Sequence, residues 1–156
     1  MNLTKDITLE RCIKSDYAIR HGIDNLPDAH QISNLTYLAE KIMQPLYEHY
    51  NDRLFYNSIF RCKALNDAVG STDSSLHLIG SACDIDSNSV PLMEILSVIY
   101  NHIPFTELIA EYFDNNGWVH SGIIRGRENE RKLKLKDKNH NYKVVSLKYI
   151  LDIYGG

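Results

Sequence analysis

A chain of 156 residues with 44% hydrophobic content is long enough for one sizeable core and too short for two comfortable domains. A net charge of -3 and a pI near 6.1 give no global basic character, so no nucleic-acid partner is expected. Met1 to Asp6 lack an apolar stretch leading to a small-residue cleavage site, and no apolar run reaches membrane-spanning length; the expectation is a soluble chain made in the cytoplasm without a signal peptide and without membrane insertion.

Along the chain, Thr8 to Lys14 reads as a short helix capped by Thr8, and Ser15-Asp16 open a second that ends near His21-Gly22. Pro27-Asp28 precede the longest helical pattern, Ala29 to Tyr50, where Ile32, Leu35, Leu38, Ala39, Ile42 and Leu46 recur at three- and four-residue spacings. Leu54 to Ile59 alternate as a strand, Arg61 to Val69 suit a short helix stopped by Gly70, and a polar loop from Gly70 to Ser75 leads to His77. Ser81 to Asp86 then read as a strand and Pro91 to His102 as an amphipathic helix. Phe105 to Tyr112 and Trp118 to Ile124 read as antiparallel strands joined across Asp114-Asn115-Asn116-Gly117. Beyond Arg125 the composition shifts, since nine of the seventeen Lys and Arg residues lie between Arg125 and Lys148. Leu133/Leu135 and Val144/Val145 flank a turn at 137–141, which predicts a basic hairpin, followed by a short helix at Ser146 to Tyr154. The expected organisation is a main body at 1–124 and an extension of the same domain at 125–156.

Cys12, Cys62 and Cys83 are odd in number and have no CxxC spacing, which argues against a disulfide framework and against a cysteine zinc site. Cys83 reads as a small core residue, since neighbours on a strand point to opposite faces and Asp84 claims the other one. His21, His30, His49, His102 and His140 receive no role. His77 and Asp84 differ, because they stand seven residues apart around Gly80 and a third candidate, His120, follows the strand-like Gly117-Trp118-Val119. Two imidazoles and one carboxylate form a three-ligand set that leaves a zinc position open for water, the pattern of hydrolytic sites. Asp86 shares a strand face with Asp84 and is a possible substitute ligand or hydrogen-bond acceptor, against a bland reading as a solvated or capping residue.

Ser75-x-His77-x-x-Gly80-x-Ala82-x-Asp84, with Ser58-Ile59-Phe60-Arg61 and Ala64-Leu65-Asn66-x-Ala68-Val69-Gly70 before it and Trp118-Val119-His120 after it, resembles the zinc D-Ala-D-Ala carboxypeptidase and L-Ala-D-Glu endopeptidase family, which includes phage endolysins. The similarity spans roughly Leu9 to Ser121. It implies an α+β fold of hedgehog or D-Ala-D-Ala peptidase type, with an antiparallel sheet carrying zinc and helices flanking it. It further implies hydrolysis of peptide bonds in the stem peptides of bacterial peptidoglycan. On that resemblance His77, Asp84 and His120 bind Zn2+, and Arg61 holds a substrate carboxylate or the polarised carbonyl oxygen. A guanidinium suits that task through its permanent charge and paired donors. Ser75 orients substrate or the histidine, and Trp118 packs the sheet beside the metal or stacks on substrate.

Many relatives carry Glu or Asp three residues before the last histidine, where this chain has Gly117. The phage-type branch tends to place a carboxylate at the end of the preceding strand, which here is Glu111, the expected general base. Asp114 is next, and Glu107, on the same strand face, could substitute. The expected function is thus an endolysin-like zinc peptidase, a monomer, acting on the cell wall after release or as a virion component. The rival is a catalytically silent zinc-binding relative serving as a wall-binding or virion structural module. For the basic segment beyond Arg125, the alternatives are a solvated hairpin and a patch for anionic wall polymers.

Overall fold

Successive side chains on a strand point to opposite faces, and this gives the molecule a sheet with two unlike faces. The computed structural model describes Met1 to Gly155; Gly156, the last residue of the expected extension, lies outside the described residues. Short helices α1 (Leu9–Ile13) and α2 (Asp16–Arg20) start at Thr8 and Ser15, whose hydroxyls accept from Arg11 N–H and Ala18 N–H. Helix α3 (Ala29–Leu38) opens on a reciprocal capping box between Asp28 and Gln31.

The single helix expected over 29–50 is interrupted. Residues Ala39–Met43 form a π-helical turn before α4 (Gln44–Tyr50), which carries Pro45 in its first turn. Proline has no N–H to return to the preceding turn and its ring crowds the carbonyl four residues back, and widening the helix just ahead of it relieves both problems. Strand β1 (Phe55–Ser58), helix α5 (Lys63–Ala68), a 3-10 turn at Leu76–Ile79 and strand β2 (Ala82–Asp86) follow. Next come α6 (Leu92–His102), β3 (Glu107–Glu111), β4 (Trp118–Gly122), β5 (Lys132–Lys136), β6 (Tyr142–Val144) and α7 (Leu147–Tyr154). Arg61 lies just before α5 rather than within it, because Cys62 occupies the N-cap.

The strands form one sheet in the order β1-β2-β4-β3-β5-β6, antiparallel except for the parallel pair β3 and β5. The fold is therefore mixed α+β, a six-stranded sheet flanked by helices. Cross-strand partners share a face. Ser58, Asp84, His120, Ile109, Lys134 and Val144 thus make one row across the sheet, and Trp118, Glu111, Lys136 and Tyr142 the next. The opposite face carries Cys83, Ile85, Val119, Leu108, Ala110, Leu133 and Leu135, which join the helices' Leu35, Leu38, Ile42, Leu46, Ile95, Leu96, Ile99 and Ile150 in one buried core. Leu133, Leu135 and Ile150 tie the C-terminal segment to that core. Among the described residues, no helix is long and apolar enough to cross a membrane.

Candidate metal centre

The polar face of the sheet and the 3-10 turn above it bring three ligand groups together. Ser75 caps the turn, its hydroxyl accepting from the His77 backbone N–H at 3.3 Å. Gly80 ends the turn with φ 76, and a Cβ there would lie 2.8 Å from the Gln31 carbonyl oxygen. Glycine is required here twice over, for the left-handed backbone and for the approach of α3. From α3, the side-chain amides of Gln31 and Asn34 donate to the Leu78 and Ile79 carbonyls at 2.9 and 2.8 Å. The turn is clamped to a helix before any ligand binds.

Asp84 and His120 are direct cross-strand partners on β2 and β4. Asp84 Oδ1 lies 3.2 Å from His77 Nε2 and 3.0 Å from His120 Nδ1, and the two rings stand 5.1 Å apart at 71°. All three residues are buried, and their ligand atoms lie within 4.8 Å of one another. The outward nitrogens are engaged too. His77 Nδ1 is 2.6 Å from the Ile59 carbonyl oxygen, and His120 Nε2 is 2.9 Å from Glu107 Oε1. A carbonyl can only accept, so Nδ1 of His77 carries the proton and its Nε2 lone pair faces the triangle. By the same logic a His120 that donates Nε2–H to Glu107 turns its Nδ1 lone pair inward. Two nitrogens and one carboxylate, preoriented from behind, fit a zinc-type cation, which prefers these donors.

Burial and charge divide these groups. Burial pushes the His77 pKa down, against the pull of Asp84. His120 is raised to about 10, because its hydrogen bonds and charge attraction to Asp84 and Glu107 outweigh burial. Burial opposes ionisation of Asp84, but His77 and His120 overcome it and hold the carboxyl well below the usual range. Glu107 is lowered to about 2, again against burial, by His120 and Lys134. Glu111 alone among the acids is raised, by burial and then by Asp84, with His120, Lys136 and Arg61 opposing. Its Oε1 lies 4.0 Å from His120 Nδ1.

Gly117, the departure noted in the sequence, has a local cause. Its Cβ would fall 1.9 Å from the Glu111 carbonyl oxygen and 2.4 Å from that of Tyr112. Tyr112 itself takes φ 53, so the 112–117 turn doubles back tightly and leaves no room for a side chain at 117. Glu111, whose Cα pairs with Trp118, carries a carboxylate on the site face beside that position.

Arg61 reaches the site from the loop side. Its guanidinium donates to Asn66 Oδ1 at 3.1 Å and to the hydroxyls of Ser58, Ser75 and Ser71 at 3.3, 3.3 and 3.5 Å. All of these partners are neutral, and among the described residues it makes no ion pair. Buried Asn25 holds the approach, donating to the Ile13 and Phe60 carbonyls and accepting from Cys62 N–H. Ser75 thus serves both Arg61 and the His77 turn. Trp118 lines the same cavity and packs against Tyr112 with ring centroids 5.4 Å apart.

Asp114 and Asp86 are not brought to the cavity. Asp114 sits in the 112–117 turn, and Asp86 accepts from Ser87 N–H at the far end of β2. Conversely, Lys134, Lys136, His140 and Tyr142, all from the C-terminal segment, line the cavity that holds the ligand triangle. The signal was present in Lys132-Leu133-Lys134-Leu135-Lys136, whose period of two is that of a strand with one basic face. Residues 5–122 match a family model described as Peptidase M15. No curated protein matches the chain.

Proposed function

Since the chain belongs to the peptidase M15 family, whose members are zinc enzymes, we propose that it is an endolysin-like zinc metallopeptidase hydrolysing peptide bonds in the stem peptides of peptidoglycan, acting as a monomer on the bacterial wall. The observation that carries this reading is the convergence of buried His77, Asp84 and His120 beside a carboxylate, Glu111, whose pKa is raised rather than lowered. A base poised upward towards neutrality transfers protons in both directions more readily than an ordinary carboxylate.

His77 Nε2, Asp84 and His120 Nδ1 would hold the metal. Zinc, when bound there, supplies Lewis-acid polarisation of the scissile carbonyl and acidifies the attacking water. Glu111 takes a proton from that water and returns it to the leaving amine. Glu107 holds His120 through Nε2, which places it behind a ligand rather than in line to serve as base. Arg61, its charge uncommitted, binds a substrate carboxylate, and Ser75 fixes both Arg61 and the His77 turn. The silent-module reading rested on Gly117, and the crowding at that position together with the placement of Glu111 weighs against it.

The test is digestion of purified peptidoglycan by zinc-loaded and chelator-treated protein, with products identified by mass spectrometry. Chelator-sensitive release of stem-peptide fragments is the expected result. An intact wall after confirmed zinc loading would sink the proposal.

A further inference from the structure

The C-terminal strands lie beyond the segment that matches the family model, yet they build one wall of the cavity. Through the parallel pairing of β3 and β5, Lys134 stands beside Ile109 and Lys136 beside Glu111, both on the site face. Three cations line the cavity, Arg61, Lys134 and Lys136, against three carboxylates, Asp84, Glu107 and Glu111. Once a divalent metal has taken the place of the His120 proton, these six charges cancel and the two charges of the metal are left unmatched. Arg61 can absorb one of these by binding a substrate carboxylate, and the other calls for a second anion.

Lys136 is the cation placed to take it. Lys134 is 3.4 Å from Glu107, which His120 already employs. Lys136 Nζ is 3.8 Å from Glu111 Oε2, beyond hydrogen-bonding reach, and is held over the rings of Tyr112 and Tyr142 at 5.3 and 4.9 Å. Aromatic walls order the lysine in advance, which lowers the entropy cost of binding an anion. Because Glu111 lies between Lys136 and His120, the ammonium is no more than about 10 Å from the metal ligands, roughly three residues of extended peptide. Arg61 approaches from the opposite, β1 side of the ligand triangle.

We propose that Lys136, supported by Tyr112 and Tyr142, is a carboxylate-binding subsite facing Arg61 across the metal centre. The preferred substrate is then a peptide with a second free carboxylate within about three residues of the scissile bond. The inference rests on the peptidase reading. In stem peptides such a group is the α-carboxylate of a γ-linked D-glutamate, which amidation to isoglutamine removes.

The test compares a synthetic pentapeptide, L-Ala–γ-D-Glu–L-Lys–D-Ala–D-Ala, with its isoglutamine counterpart. Zinc-loaded wild type should favour the acid form in kcat/KM by about tenfold or more, the range of a charge-assisted hydrogen bond. Lys136→Gln should bring the ratio close to one and Lys136→Arg should keep most of it. Any effect of the substitution on Glu111 applies to both peptides and cancels in the ratio. The same ratio is read as dissociation constants by calorimetry on zinc-loaded Glu111→Gln protein, so a chain that binds stem peptides without cutting them still tests the subsite. An acid preference that persists in Lys136→Gln, no preference in wild type, or binding of neither peptide overturns the proposal; loss of hydrolysis with the binding preference intact overturns only the peptidase reading.

Discussion

The loop side and the sheet side of the candidate metal centre solve the same problem in different ways. On the loop side, His77 is oriented by a backbone carbonyl and Arg61 by an amide and three hydroxyls, all neutral. On the sheet side, His120 lies between two carboxylates, and Glu107 and Glu111 each face a lysine. Neutral partners leave the guanidinium's charge available to a ligand. Charged partners hold the reacting groups in balance with one another, so removing any one of them shifts its neighbours. On the loop side a cation is held apart from the titrating acids, whereas on the sheet side Lys136 and Glu111 stand 3.8 Å apart and are coupled.

The sharpest way to break this contrast is to remove the atom shared by both sides. Asp84→Ala should abolish metal binding and hydrolysis together, since two imidazoles then face each other with no anion between them. Metal content after dialysis is the check, and stoichiometric retained zinc would exclude Asp84 as a ligand. Next in size is Glu111→Gln, which keeps the shape and removes the proposed base. Hydrolysis should fall by about 10²- to 10⁴-fold, the usual contribution of a positioned acid–base group, with zinc content unchanged. A fall in zinc content of similar size would mean that Glu111 holds the metal rather than the proton.

A smaller effect separates the two histidines. Glu107→Gln replaces the acceptor on His120 Nε2 and leaves His77 and its carbonyl untouched. Zinc affinity, measured by competition with a chelator, should weaken by about 10- to 100-fold, as for other groups that orient a metal-bound histidine. If activity at saturating zinc also fell to the level of Glu111→Gln, the two acids would share the role of base.

Much of this site was legible in the sequence because its parts are local. His77, Gly80 and Asp84 sit within one turn and one strand, and His120 follows a recognisable strand start. Glu111 could be singled out at a strand end, but why Gly117 replaces an acid could not, because the obstacle is backbone packed on backbone across the 112–117 turn. Glu107 was placed on the correct face, yet its bond to His120 depends on how two side chains lean across neighbouring strands. The lysine wall was hidden by topology. Lys-Leu alternation marks a strand, whereas pairing β5 in parallel with β3 is a tertiary choice that no local pattern announces. Pro45 is a further local signal, and it explains the π turn in the long helix.

The smallest expected effect is the pH dependence of the metal-free protein, and on the alkaline side its sign follows from His120. His120 rises to about 10 from an ordinary 6.5, so between those values the folded chain keeps a proton that the unfolded chain has lost. Its contribution is complete below about 6.5 and disappears as pH climbs through about 10. Glu107 is lowered to about 2 from 4.5, so its contribution is present above 4.5 and fades as pH falls towards 2. Thermal midpoints in chelator should therefore decline on the alkaline side, from about 6.5 towards 10, while His77, which burial holds neutral, lowers them again below 6.5. Zinc must displace the His120 proton, so loading should release a proton at neutral pH and its affinity should increase with pH. With zinc bound, His120 would have no second proton to lose and the alkaline decline should flatten. A metal-free protein whose midpoint is level from pH 6.5 to 10 would mean that His120 is not charged between Asp84 and Glu107.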